Sequence, residues 1–269
     1  MCARYTLYHP KGMLATYFAA LSDETREDVS HANAQSREEP PEDQGGSESR
    51  NVLVVERSAA DLEPNYNIAP TNRVVVILDN GARVIRLMRW GLLLHWSGQR
   101  GSKPLVNARA ETLLEKVSFR EATRNRRCIV PASGFYEWKK VGKERLPYYI
   151  HRRDGEPMAF AGLWEPWKSP DGPAQTCAIV TVAANGLISP LHDRMPAILP
   201  RDDEDAWLNC THTPAETAIQ LLRPCPEKWV EMHPVSSRMN RQIVNDPDCI
   251  APMEHSRNDI LNLFDEGHW

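Results

Sequence analysis

The chain has 269 residues, 41% of them hydrophobic and 25% charged, with a net charge of −4. This is the composition of a soluble globular protein large enough for a substantial core, and no apolar run approaches the ~20 residues of a membrane span. The start lacks the charged segment and apolar block of a secretory signal. The charge is uneven: twelve acidic and four basic residues between positions 22 and 64 put −8 on that segment and leave +4 on the remainder, a mild basic excess that suits a local phosphate-binding surface. The six cysteines, Cys2, Cys128, Cys177, Cys210, Cys225 and Cys249, form no Cys-x-x-Cys pair. With no His-x-x-x-His spacing either, free thiols in a reducing cytosol or nucleus are expected, and no zinc site.

In chain order, residues 12–21 place Met13, Leu14, Tyr17, Phe18 and Leu21 on one helical face. Residues 22–50 are polar and acidic, interrupted by Pro40-Pro41 and Gly45-Gly46. Such a stretch cannot bury enough apolar surface to offset its ordering entropy, so a disordered acidic insertion is expected at about 22–63. Strands are predicted at 74–78 and 84–88, joined by a hairpin at Asn80-Gly81. Further strands are predicted at 128–130, 134–138, 148–151, 158–164 and 176–182, and helices at 111–120, 202–208 and 214–222. Many strands with short turns and few helices argue for an α+β fold with a largely antiparallel, barrel-like sheet. A single domain is expected over 1–249, followed by a polar tail over 250–269 that includes a short amphipathic stretch from Ile260 to Phe264.

Cys2 carries the most chemical information. A small residue after the initiator methionine favours its removal, which would leave a free α-amine beside a thiol. Such a 1,2-aminothiol condenses with an aldehyde to a five-membered thiazolidine, a reaction closed to any internal residue. An α-amine has a pKa of about 7.7–8.0, so roughly a quarter is neutral and nucleophilic near neutrality, far more than for a lysine at about 10.4. The neighbouring ammonium, while charged, should also lower the thiol pKa.

Met1-Cys2-Ala3-Arg4 is followed in order by Tyr66-Asn67-Ile68-Ala69-Pro70-Thr71, Arg89-Trp90-Gly91, Asn107-Ala108-Arg109-Ala110-Glu111-Thr112, Pro131 to Trp138 (PASGFYEW) and Leu191-His192-Asp193-Arg194-Met195-Pro196. Each motif alone is weak. The ordered set, running from Cys2 to about Asn240, resembles the SRAP domain family, the abasic-site processing proteins. Ala3 stands where the family often has glycine, and its bacterial members usually lack the long acidic insertion.

The resemblance implies a self-modifying DNA repair reaction. The Cys2 amine would attack the ring-opened aldehyde of an abasic site in single-stranded DNA to give a Schiff base. The thiol would then close a thiazolidine, leaving a covalent protein–DNA cross-link that shields the lesion. Lyase and autoproteolytic or peptidase activities are associated expectations. Glu137, on a strand beside aromatics, would transfer protons with a raised pKa; a solvated strand glutamate is the alternative. His192 would exchange protons near neutrality, or else serve as a structural loop histidine. Asn107 would orient the reacting centre, or else cap a turn. DNA contacts are expected from Arg4, Arg109 and Arg194 as phosphate clamps, from Asn67 and Pro70 in their motif, and from Trp96 as a stacking or wedge residue. Lys116 is a further phosphate contact to consider, and Trp90 is expected in the core.

Two other function classes fit parts of the pattern. Cys2 suits an N-terminal-nucleophile amidohydrolase, and Cys2, His192 and Asn107 match the residue types of a cysteine peptidase, though the sequence around a papain-like cysteine is absent. Tryptophans and arginines alone would suffice for a non-covalent single-strand binding module. Without Gly-x-Gly-x-x-Gly or a Walker loop, no cofactor is expected. The expected partner is abasic single-stranded DNA, bound by a monomer that is cytoplasmic and nucleoid-associated, or nuclear in a eukaryote, and not secreted.

Overall fold

The computed structural model describes residues 3–19, 54–55, 63–79, 83–94, 103–169 and 172–253. The elements in order are β1 (Tyr5–Leu7), α1 (Lys11–Ala19), β2 (Val54–Val55), β3 (Asn65–Ile68), β4 (Arg73–Asp79), β5 (Arg83–Trp90), β6 (Asn107–Arg109), α2 (Val117–Asn125), β7 (Arg127–Ala132), β8 (Gly134–Val141) and β9 (Glu144–Arg152). Then come β10 (Met158–Ser169), β11 (Gly172–Ala183), β12 (Arg194–Pro196), β13 (Ile198–Leu199), α3 (Glu204–Leu208), α4 (Ala215–Ala218) and β14 (Val230–Pro234). The fold is α+β and largely antiparallel, as the strand pattern predicts. No helix of the described residues is long and apolar enough to cross a membrane.

Strands β11, β10, β7, β4 and β5 pair in that order, and β5 returns to β11 in parallel at Arg89–Thr176 and Trp90–Cys177, which closes a five-strand barrel. Its strands are rich in Val, Ile and Ala, the residues that fit a pleated, buried surface. Val74 to Leu78, Cys128 to Val130 and Cys177 to Val180 are all nearly inaccessible to solvent. Beyond Ile179, β10 and β11 part. Strand β12 takes over one edge of β11 and β6 lies in parallel on the other, so both flank Thr181.

A second sheet, in the order β14-β9-β8-β1-β3, is antiparallel throughout. The chain crosses from barrel to second sheet at Ser133, between β7 and β8, and the Ser133 hydroxyl accepts the Tyr8 backbone N–H at 2.9 Å. Gly134 is required there, because a Cβ would come within 2.6 Å of the Ile150 carbonyl oxygen. Tyr5 and Phe135 face the barrel and meet Phe160 edge-on at 6.1 and 5.9 Å, while Trp90 meets Tyr5 at 5.3 Å. Tyr136 turns to the opposite face and joins Tyr149, Val235, Met239 and Cys249 in a separate small core. Both faces of the first half of β8, Gly134 to Glu137, are therefore covered. Truncating a side chain such as Phe135 to alanine would cost about 3–5 kcal/mol.

Several boundaries differ from the sequence reading. The helix expected at 111–120 starts later: residues 110–112 form one 3₁₀ turn and α2 begins at Val117. Leu113 is buried on its own, whereas Phe119, Ala122 and Thr123 give α2 its inward face, and the Lys116 carbonyl accepts the first helical N–H groups. The helices expected at 202–208 and 214–222 are each part 3₁₀, part α. Val54–Val55, within the span expected to be disordered, pairs in parallel with Val84 and Ile85. The short strands β1, β6, β12, β13 and β14 were not expected. β4 and β5 pair as a hairpin with Asp79 opposite Arg83, and the Asn80-Gly81 turn itself lies outside the described residues, as do most of the acidic insertion and most of the tail.

Candidate active site

Strand β8 carries the first functional group. With Phe135 turned to the barrel and Tyr136 to the small core, Glu137 falls where the barrel-side packing ends, and it is 2% exposed. Burial pushes its carboxyl up to about 7; the nearby Asp193 charge pushes in the same direction, while the chain's terminal ammonium and the Trp138 backbone N–H pull it down. A glutamic acid in this state is part protonated near neutrality and can act as acid or base without a large penalty.

A second group arrives from the turn before β12. Asn185 accepts the Ile188 N–H on its side-chain oxygen, Leu191 is buried, and the His192 N–H returns to the Ile188 carbonyl. This fixes the His192 backbone. Its ring Nδ1 has two neighbours, the Arg194 backbone N–H at 2.9 Å and the Asp193 carboxylate at 2.8 Å. One nitrogen cannot accept and donate at once. Neutral His192 accepts from Arg194, with its proton on Nε2; protonated His192 donates to Asp193. Burial, the terminal ammonium and Arg194 lower its pKa against the opposing pull of Asp193, so the neutral form dominates at neutral pH.

Between these groups lies a cleft of about 450 Å³. It is lined by Ala3 and Arg4 from the start of the chain, by Glu137, Trp138 and Arg145 of the β8–β9 hairpin, and by His192 and Asn240. The Tyr136 N–H donates to the Arg4 carbonyl, and Tyr5 stands opposite Phe135, so β1 runs back along β8 toward Glu137. Arg4 is turned inward: it donates to Asn67 Oδ1 at 2.6 Å and to the Met239 and Asn240 carbonyls. Buried Asn67 in turn donates from Nδ2 to the carbonyls of Met239, Arg241 and Val244 at 2.8–3.1 Å. The pair therefore pins the 239–244 segment that closes one side of the cleft.

The structure brings Arg4, Glu137 and His192 to one cleft. Asn107, Arg109 and Arg194 do not line it; they lie on the two strands flanking Thr181. Arg194 is buried and grips Glu111 with both terminal nitrogens, at 2.7 and 2.9 Å, while it also donates to the Thr181 carbonyl. That ion pair holds the Glu111 carboxyl below the ordinary range and ties the His192 turn to the Asn107 strand. Arg109 is exposed. Pro70 sits in the Ala69–Asn72 turn between β3 and β4, where Thr71 takes φ 77°. Lys116 is exposed at the start of α2, and Trp90 is fully buried. Cys2 and Trp96 lie outside the described residues. Burial raises the thiols of Cys128, Cys177 and Cys249, and that of Cys225 to about 11, so these cysteines are poor nucleophiles.

The profile of the family described as SOS response associated peptidase (SRAP) matches residues 1–242. The chain belongs to the SRAP family. It is 39% identical to the abasic site processing protein YoqW of Bacillus subtilis over 194 residues, 71% of this chain and 87% of that one. It is 30% identical to the abasic site processing protein HMCES of Xenopus tropicalis over 223 residues, 70% of this chain and 66% of that protein. A crystal structure of a protein from Bacteroides thetaiotaomicron superimposes with a TM-score of 0.66 at 29% identity, covering 73% of this chain and 88% of the other.

Three residues that line this SRAP cleft, Trp138, Arg145 and Asn240, escaped the sequence reading as functional candidates, as did Asp193 beside His192. Arg145 had a signal, since Lys139, Lys140, Lys143 and Arg145 crowd seven positions right after Glu137. Asn240 had none, because its place depends on the long-range contacts made by Arg4 and Asn67.

Proposed function

We propose that this protein processes abasic sites in DNA by covalent capture, with Cys2 as the amino-terminal residue once Met1 is removed. The single observation that carries the reading is that Ala3, Glu137 and His192 share one cleft. Consecutive Cα atoms are 3.8 Å apart, so the residue before Ala3 is within reach of both proton-transfer groups. The buried Glu137 carboxyl, with its pKa raised to about 7, supports it, as do the names of the relatives.

In this reading the neutral Cys2 amine attacks C1′ of the ring-opened sugar. Glu137, as an acid, protonates the departing hydroxyl, which leaves as water and gives the Schiff base. The Cys2 sulfur then adds to the carbon of the protonated Schiff base while the thiol proton passes to the Glu137 carboxylate, which regenerates the acid and leaves a neutral thiazolidine. Neutral His192 relays protons through Nε2, and Asp193 steadies the imidazolium when it forms. Single-stranded DNA is the substrate, since a flexible strand can present the opened sugar to a cleft of this size. Asn107, Arg194, Asn67 and Arg4 hold the catalytic groups in place, and exposed Arg109 faces the strand. The protein acts as a monomer.

The test is a denaturing gel with a single-stranded oligonucleotide bearing one abasic site. Wild-type protein should give a slow-migrating band that survives denaturant and high salt. An uncleaved tag ahead of Cys2 should abolish it, and Cys2→Ser should remove the stable adduct. Equal cross-linking by the tagged protein, or steady turnover of an amide such as glutamine without DNA, would contradict the proposal.

A further inference from the structure

The β8–β9 hairpin extends directly from Glu137. It turns through Gly142-Lys143, with Gly142 at φ 57°, the left-handed conformation that two-residue hairpin turns favour at their first position. The two strands are paired without a break from Gly134–His151 to Val141–Glu144, so the arm is firmly held. Residues directly opposite each other share a face. Trp138 with Pro147, and Lys140 with Arg145, therefore share the Tyr136 face of the hairpin, and Lys139 with Leu146 occupies the Glu137 face. Trp138 and Arg145 line the cleft itself.

Lys140 and Arg145 are exposed, and neither has a carboxylate partner among the described residues. Two cations facing each other across a strand pair repel, and an anion between them would relieve this. Arg4 and Arg194, by contrast, have their terminal guanidinium nitrogens engaged by internal acceptors. Resting on the capture reading above, we propose that the hairpin is the phosphate-gripping arm of the cleft. Lys140 and Arg145 bind successive phosphates of the strand that leads to the lesion.

Binding of an undamaged, labelled single-stranded oligonucleotide, followed by anisotropy across a salt series, tests this. Each phosphate neutralised on a single strand contributes about 0.7 to the slope of log K against log salt. Lys140→Ala/Arg145→Ala should make the slope shallower by about 1.4, and Lys139→Ala, on the other face, should leave it unchanged. The charge-preserving Lys140→Arg/Arg145→Lys pair should keep the wild-type slope. If the double alanine variant does not fold, Lys140→Ala alone should reduce the slope by about 0.7. An unchanged slope in the alanine variants, or an equal reduction from Lys139→Ala, would overturn the arm. The covalent band of the wild type is read separately: a band with an unchanged slope overturns the arm and keeps capture, and a shallower slope with no band does the reverse.

Discussion

Arg4 and Arg194 point inward, where carbonyls, Asn67 and Glu111 occupy their guanidinium groups, whereas Lys140 and Arg145 on the neighbouring hairpin face solvent with like charge opposite like charge. The inner wall also holds the titratable groups whose pKa values are displaced, Glu137 upward and His192 downward. Position within the cleft thus separates two tasks that residue type alone does not. Cations of the inner wall fix backbone segments around Glu137 and His192; cations of the rim stay open to solvent. Perturbed groups on the inside mark the chemistry, and the rim supplies attraction that salt can screen.

The sharpest way to break this division is Glu137→Gln. The shape is kept and the proton transfer lost, so the initial rate of capture should fall by about 10²–10⁴ while DNA affinity stays close to wild type. An equal fall in affinity would move Glu137 to the binding side. Stability should move the other way. The folded pKa of Glu137 is raised from an unfolded value of about 4.3 to about 7, so the stability present below pH 4 is lost as pH rises through 7. Glu137→Gln escapes that loss and should melt at an equal or higher temperature at pH 8, as thermal unfolding would show.

The pH profile of wild-type capture is the next test. Capture needs protonated Glu137, which declines above about 7, and a neutral amine, which appears toward about 7.7–8.0. The rate should peak between these values and fall on both sides, and Glu137→Gln should flatten the alkaline limb. A rate that climbs steadily to pH 9 would remove the acid role.

Asn67→Ala probes the inner wall as scaffold. It deletes a buried amide that serves three carbonyls and Arg4, so unfolding in urea should show a loss of about 2–3 kcal/mol, with the salt slope of DNA binding unchanged. The smallest effect is expected from Arg194→Lys. The charge remains but the two-pronged grip on Glu111 does not, for a loss of about 1 kcal/mol and a slower capture rate. A shallower salt slope with Arg194→Ala, which removes the charge, would show that this residue faces phosphate after all.

The barrel was legible because β4, β7, β10 and β11 are long apolar runs whose burial needs no special partner. The short strands were not. β6, β12 and β14 are only three to five residues long and carry Asn107, Arg109, Arg194, Glu231 and His233, too short and too polar to stand out as strands, and each pairs with the edge of a longer neighbouring strand. The site divides in the same way. Glu137 and His192 stand in recognisable motifs. That Arg4 and Asn67 brace the 239–244 segment could not be read, since the contacts span 172 to 236 positions.

The central claim, that the amino-terminal cysteine itself bonds to the sugar, is tested most directly by the intact mass of the purified adduct. The predicted mass is that of the chain without Met1 plus the abasic oligonucleotide minus one water, with the modified peptide beginning at Cys2. An adduct that retains Met1, or one that maps to any other residue, would contradict it.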